Sequence, residues 1–455
     1  MRSFSLSQRL QWVRVRRHLS FLALAVGVAS LAASGPARAQ DRIVTEWTSP
    51  TLNSDPVFAL PVSSDIIYFS EVAGGKIAKL NTETSDITEW TLSQAHDQVF
   101  PGGLIQVGSR IFFGERRPSS SNPFTGGIGA LQPATGQLTE WTTPGGFPQS
   151  PVYRGQHIYF IEASGGIGSL NPNTNDVREW QNDVREWQLP SLSVGPVDGS
   201  LDIDENGKDL WIIETPGPVL VTSPPTQNTL FGSIARLDVS TSTLTEWPLP
   251  KSARASRVHV QEDFVYFSAG NTIMRLDPAT NVISAWTDPN TYTCPPVWPG
   301  GPCNAEVTDV SPTEIDEGAN GTTEPVRMYV DEGAFGISTP FGSLVVPPAI
   351  GEFVTTAAPH TDYVVTPTTT ILTAVDSTAV VATLTATNTV THVEPVITTV
   401  HPVKSGDFTF WKFPPGPGGP AFLSKFSDGR LIFAESIRNK IGLFAMDAGA
   451  ADDDK

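Results

Sequence analysis

The chain predicts an all-β fold: a seven-bladed β-propeller closed by its own N-terminal strand, with a Thr-rich β insertion in blade six. Three observations predict it. First, "ITEW" at Trp90, "LTEW" at Trp141, "VREW" at Trp180, "LTEW" at Trp247 and "ISAW" at Trp286 recur, each with a leucine ten positions earlier (Leu80, Leu131, Leu170, Leu237, Leu276). Second, an aromatic, β-branched run precedes each leucine: "DIIYFSE", "SRIFFGE", "QHIYFIE", "DLWIIE" and "DFVYFSA". Third, the two ends complement each other. The chain opens on a lone final strand, "IVTEW", and finishes with "RLIFAESIRNKIGLFAMD", which has middle strands but no final one.

The leucine-to-tryptophan stretches, such as "LQPATGQLTEW", read as two strands around a tight turn with Thr at a fixed place (Thr84, Thr135, Thr174, Thr241, Thr280). Pro, Asn, Asp and Thr there supply restricted φ and local side-chain hydrogen bonds. The upstream runs are too short for helices and are bounded by Gly or Asp, a strand signature. One further strand before them completes a four-stranded blade. Seven final strands follow, at Trp47, Trp90, Trp141, Trp180, Trp247, Trp286 and Trp411, and closure by the termini removes exposed sheet edges.

Blade six is the exception, because Trp286 and Trp411 are far apart. "VRMYVDE" reads as its second strand, "AFGIST" as its third and "FTFW" as its fourth, leaving 343–405 as the insertion. That stretch is Thr/Val-rich, with no Lys or Arg between Arg327 and Lys404. Its β-branched residues argue against disorder and for a small β-appendage projecting from the disc, a surface for a protein partner or self-association.

The expected organisation is therefore a leader at 1–39, propeller at 40–342, insertion at 343–405, the end of blade six and blade seven at 406–447, and an acidic tail at 448–455. The leader is basic, then apolar, and ends "ARA" at Ala39, as an export signal does, which predicts a periplasmic or extracellular protein. No later apolar run is long enough to span a membrane. Without the leader's six arginines, 23 basic residues face 47 acidic ones, a surface that repels nucleic acid and anionic lipid. Cys294 and Cys303, in "CPPVWPGGPC", read as one disulfide closing a Pro/Gly loop.

The motifs "T-E-W-x-L-P", "GGKIAKL", "GGIGAL", "GSIARL" and "NKIGLF" resemble the virginiamycin B lyase family of seven-bladed propellers, over most of 41–286 and 408–446. The resemblance implies a lyase that linearises cyclic depsipeptides by elimination at an ester with bound Mg²⁺. Such a lyase uses one histidine in each of two adjacent blades and a glutamate after the second strand of the last. His259 in "RVHV" fits one histidine position, with Val258 replacing the family's proline. Ala421 stands where the second would be, and Glu435 lies one residue before the glutamate's place. His259 and Glu435 are therefore the candidate catalytic pair. The expected function is a ligand- or partner-binding propeller lacking the full lyase site. The alternative is a divergent C–O lyase or lactone-opening enzyme that would need Mg²⁺ or Ca²⁺.

Glu71, Glu115, Glu162, Glu214, Glu332 and Glu435 end the second strand in six blades. Facing the channel mouth, they would form an acidic ring for a cation, small molecule or peptide; serving each blade internally, they would be structural. "DIDENG" at 202–207 imitates a calcium loop, but Ile213 replaces the bidentate twelfth-position Glu, which favours a plain turn. The doublet "NDVREWQNDVREWQ" keeps the ten-residue spacing with its first copy, so that copy is the strand and the second loops out.

Overall fold

In the computed structural model, the fold described lies within the unit Gln40–Lys455. The description covers 41–445, except 93–99, 117–125, 144–146, 163–165, 182–200, 205–207, 215–231, 251–254, 262, 270, 290, 293–302, 305–306, 313–326, 333–335, 340–341, 346–348, 355–358, 414–419 and 427. Every described element is a β-strand, and seven five-stranded antiparallel sheets make the disc. Blade one, from the axis outward, is Pro56–Pro61, Ile66–Glu71, Lys76–Asn81 and Asp86–Thr91. Blades two to five repeat this order, and their inner strands are Phe100–Val107, Pro148–Arg154, Leu201–Ile203 and Ala255–Gln261. Blade seven combines Ala421–Lys425, Leu431–Glu435 and Lys440–Ala445 with Arg42–Thr48, so the N-terminal strand closes the ring. Each inner strand touches the next, and that of blade seven returns to blade one.

One cross-strand pair repeats in all seven blades. Ile77 faces Trp90, Ile128 Trp141, Ile167 Trp180, Ile234 Trp247, Ile273 Trp286, Ile350 Trp411 and Ile441 Trp47. Six of these tryptophans are at most 2% exposed, so aromatic–aliphatic pairs anchor the blades. In blades two, three and seven the residue after the isoleucine is glycine, because a second-strand ring lies over it. A Cβ on Gly168 would meet Phe160 at 2.3 Å, and one on Gly442 would meet Phe433 at 2.1 Å.

The hairpin before each tryptophan has a shared chemistry. Asn81, Asp238 and Asp277 each accept two backbone N–H bonds through their side chains. The turn then closes on a left-handed residue: Ser85, Gly136, Asn175, Ser242 or Asn281, with φ between 57° and 70°. That residue also receives the preceding blade's tryptophan. Trp47 Nε1 donates to Ser85 Oγ (3.2 Å), Trp141 Nε1 to Asn175 Oδ1 (2.7 Å) and Trp247 Nε1 to Asn281 Oδ1 (2.8 Å). Gly136 has no side chain to offer, and Trp90 Nε1 has no partner.

Two readings of blade six are corrected. Its third strand is Ala349–Val354, because that run alone sets Ile350 opposite Trp411; Gly336–Thr339 instead pairs with Gly342–Val345 in a hairpin of its own. The inserted segment after Val354 is not a projecting appendage. It encircles the disc, adding Thr361–Val364 to blade five, Thr368–Ile371 to four, Thr373–Thr378 to three, Val381–Thr385 to two, Thr387–His392 to one, Val396–Val400 to seven and Pro402–Ser405 to six. All seven strands pair antiparallel to a blade's outer strand. A sheet twisting about 20–25° per strand turns roughly 90° from its first strand to its fifth, so the fifth lies along the rim. At about 3.3 Å per residue, 361–405 reaches roughly 150 Å, the perimeter of a disc roughly 45–50 Å wide.

The doublet's first copy supplies the outer strand Asp176–Gln181, paired with Ile167–Asn171; the second lies outside the described residues. Cys294 and the side chain of Cys303 also lie outside them.

Candidate functional site

The strand-ending glutamates sit where the second strand turns into the third, one strand back from the channel. Glu71, Glu115, Glu162 and Glu435 are at most 1% exposed, inside their blades. Glu214 pairs with Ser233 and Glu332 with Ala349 in the backbone register, and their side chains lie outside the described residues. Glu71 accepts a short hydrogen bond from the Ser49 hydroxyl. Burial lifts its carboxyl to about 7, with Ser49 pulling it down and Glu89 pushing it up. Burial also pushes Glu89 up, but Lys76, at 2.9 Å, and Thr51 outweigh it and hold that carboxyl below its usual range.

Glu435 repeats the arrangement in blade seven. Burial and the hydrogen bond and charge of Glu46 lift its carboxyl to about 8, against Arg438 and Lys440. Lys440 Nζ lies 2.8 Å from Glu46, and Arg438 lies 3.3 Å from Glu435. Burial beside Glu46 therefore favours the neutral form of the Glu435 carboxyl.

His259 has different surroundings. It lies on the inner strand of blade five, opposite Tyr266 near the turn to the second strand, and is partly exposed. Glu435 ends the second strand of blade seven, so the two candidates occupy opposite ends of the strand direction. The partner that composition and spacing missed is Asp202. It lies on blade four's inner strand, where Oδ1 accepts from its neighbour Ile203 N (2.8 Å) and Oδ2 crosses the seam to Val260 N (2.7 Å). Burial raises its carboxyl, while His259, the two backbone donors and Arg154 pull it down. Arg154, Asp202 and His259 thus gather on three successive inner strands. Of the turn read at 202–207, residues 205–207 lie outside the described residues; Asp204 Oδ1 accepts from Lys208 N (2.8 Å) and Asp209 N (3.1 Å).

A cavity of about 480 Å³ lies at the rim of blade three, lined by His157, Tyr159, Ser169, Arg178, Val239 and Asp376. Arg178 and Asp376 form a forked pair at its edge (2.7 and 3.1 Å).

A hard divalent cation needs several ionised oxygen ligands. Glu71 and Glu435 are buried inside separate blades, and among the described residues no three His, Cys, Asp or Glu side chains group as a metal set. The described carboxyls therefore do not fit Mg²⁺ or Ca²⁺.

No family model and no curated protein sequence matches the chain. Among solved structures, one titled a streptogramin B lyase superposes with a TM-score of 0.51 at 17% identity, covering 89% of this chain and 98% of that one. Virginiamycin B lyase from Staphylococcus aureus gives 0.50 at 16% identity, over 89% and 99%. At these identities the likeness is one of architecture: this chain is built on the seven-bladed fold of virginiamycin B lyase.

Proposed function

We propose that this is an exported β-propeller that binds a small molecule or peptide at its central channel, through Arg154, Asp202 and His259, without acting as a lyase. The observation that carries the reading is the state of Glu435. Elimination at an ester needs a base for the proton and an acid or metal for the departing carboxylate. Glu435 is instead occupied inside blade seven with Glu46 and Arg438, and is at 0% exposure. Neither Val307–Pro312, the inner strand next to that of His259, nor Ala421–Lys425 in blade seven carries a second imidazole. Export rests on the leader at 1–39, and the exposed Thr/Val rim is the surface a protein partner would meet.

The alternative, a C–O lyase or lactone-opening enzyme acting on cyclic depsipeptide-like substrates, draws support from His259, an imidazole near Asp202 on the adjacent inner strand and a side chain of the kind that serves as a general base. One experiment separates the two. Purified protein is incubated with a streptogramin B depsipeptide, with and without Mg²⁺, and ring opening is followed by mass spectrometry. The expected result is intact ring in both. Mg²⁺-dependent opening abolished by His259→Ala would overturn the binding reading and establish the alternative.

A further inference from the structure

The strand that encircles the disc has a period of seven residues. Val365, Leu372, Ala379, Ala386, Val393 and Val400 follow at intervals of seven, and each is buried or half-buried in a mostly exposed segment. Each enters the seam between two adjacent blades. Val365 packs between blades four and five, Leu372 between three and four, and Ala379 between two and three. Ala386 packs between one and two, Val393 between seven and one, and Val400 between six and seven.

The backbone keeps the same phase. Val365 N donates to Asn281 O (3.0 Å), Leu372 N to Ser242 O (2.8 Å), Ala379 N to Asn175 O (2.9 Å), Ala386 N to Gly136 O (2.7 Å) and Val393 N to Ser85 O (2.9 Å). These five acceptors are the left-handed turn residues of the five regular blades. Seven is odd, so one unbroken strand would turn alternate plugs outward. Links of one to three residues between the rim strands reset the phase at each blade.

Every regular blade therefore offers the same three features at its rim: a strand edge, a turn carbonyl turned outward by positive φ, and an apolar seam. Strand addition supplies affinity through the main chain and specificity through spaced side-chain pockets. We propose that the rim is a peptide-recognition track. Its ligand class is an extended Thr/Val-type peptide with an apolar residue at every seventh position, and the chain's own residues 359–405 are its resident, separable occupant. Repeated weak sites in register then sum to tight binding.

The test uses the full chain with protease recognition sequences placed within 355–358 and between Gly406 and Asp407, an exposed turn. After cleavage, the freed 359–405 segment is expected to co-elute with the disc and to exchange slowly with an isotope-labelled synthetic copy. A copy with one glycine inserted after Thr378 breaks the phase. It is expected to compete about tenfold or more worse, the size of losing even one buried plug contact. Immediate elution of the segment alone, or equal competition by the phase-broken copy, overturns the proposal. The same glycine inserted in the uncut chain gives a second reading by amide hydrogen exchange. Protection at Ala379, Ala386 and Val393 is expected to fall while the blade strands keep theirs, and unchanged protection at those three also overturns it.

Discussion

Replacing Glu435 by Gln isolates the buried acid pair of blade seven. The native carboxyl is lifted from 4.5 to about 8, so the folded state holds a proton that the unfolded chain releases above pH 4.5. Its contribution is fully present below that pH, declines as pH climbs through the window, and is lost above about 8. A rise of this size at about 1.4 kcal/mol per pH unit amounts to about 5 kcal/mol; relaxation of Arg438 and Lys440 toward the ionised pair reduces this to about 2–5 kcal/mol. Gln keeps an N–H to donate to Glu46 but cannot ionise. The difference in stability between variant and wild type should be near zero at pH 4.5 and grow in favour of the variant toward pH 8. For a chain of this size that corresponds to roughly 3–6 °C in melting temperature at pH 8. Thermal unfolding of both proteins in matched buffers from pH 4.5 to 8.5 measures it, and the difference cancels other titrating groups, Glu71 included. A difference that stays constant across the window refutes the shared-proton assignment.

Leu372→Ala truncates a rim plug only 3% exposed and should cost about 2–4 kcal/mol in denaturant unfolding, whereas Val364→Ala, 83% exposed, should cost almost nothing. Trp141→Phe deletes the bond to Asn175 while keeping most of the ring, and should cost about 1–2 kcal/mol; Trp90→Phe, whose Nε1 has no partner, should cost less. Gly168→Ala forces a methyl to within 2.3 Å of Phe160 and should destabilise by about 1–3 kcal/mol, with altered near-ultraviolet circular dichroism reporting the displaced ring. Deleting 182–188, the doublet's second copy, should leave melting temperature and soluble yield nearly unchanged.

The propeller was legible because its determinants are chemically loud. Trp is rare and bulky, and Ile opposite it repeats at a fixed distance in five blades, so burial and spacing carry the same message. In blade six, "AIGEF" carries the Ile-then-small pair of most third strands and sets Ile350 opposite Trp411, whereas "AFGIST" does not align its Ile with Trp411. The site was harder to see. Asp202 is an ordinary aspartate two residues before a turn, and its link to His259 spans a blade seam that no local pattern encodes. The shared glutamates were visible as a repeat, but the repeat could not say whether they faced the channel or each other. Glu46 and Glu89, the carboxylates that settle the state of Glu435 and Glu71, lie within the "TEW" motif itself.

The encircling strand shows why some regularities escape sequence reading. A seven-residue period matches neither the two-residue alternation of a strand nor the 3.6-residue turn of a helix, and its plugs are Val, Leu and Ala among many other Val and Ala residues. Only the disc gives the period meaning. The segment leaves blade six after its third strand and must re-enter as that blade's fourth, so it either doubles back or goes once around. Going around requires the residues per step to equal the arc between neighbouring rims and the number of steps to equal the number of blades; seven strands on seven blades satisfies both. Blade count and rim repeat are thus coupled. A disc with one blade more or fewer would leave this segment short or slack by about seven residues, and every plug beyond the mismatch would meet solvent instead of a seam.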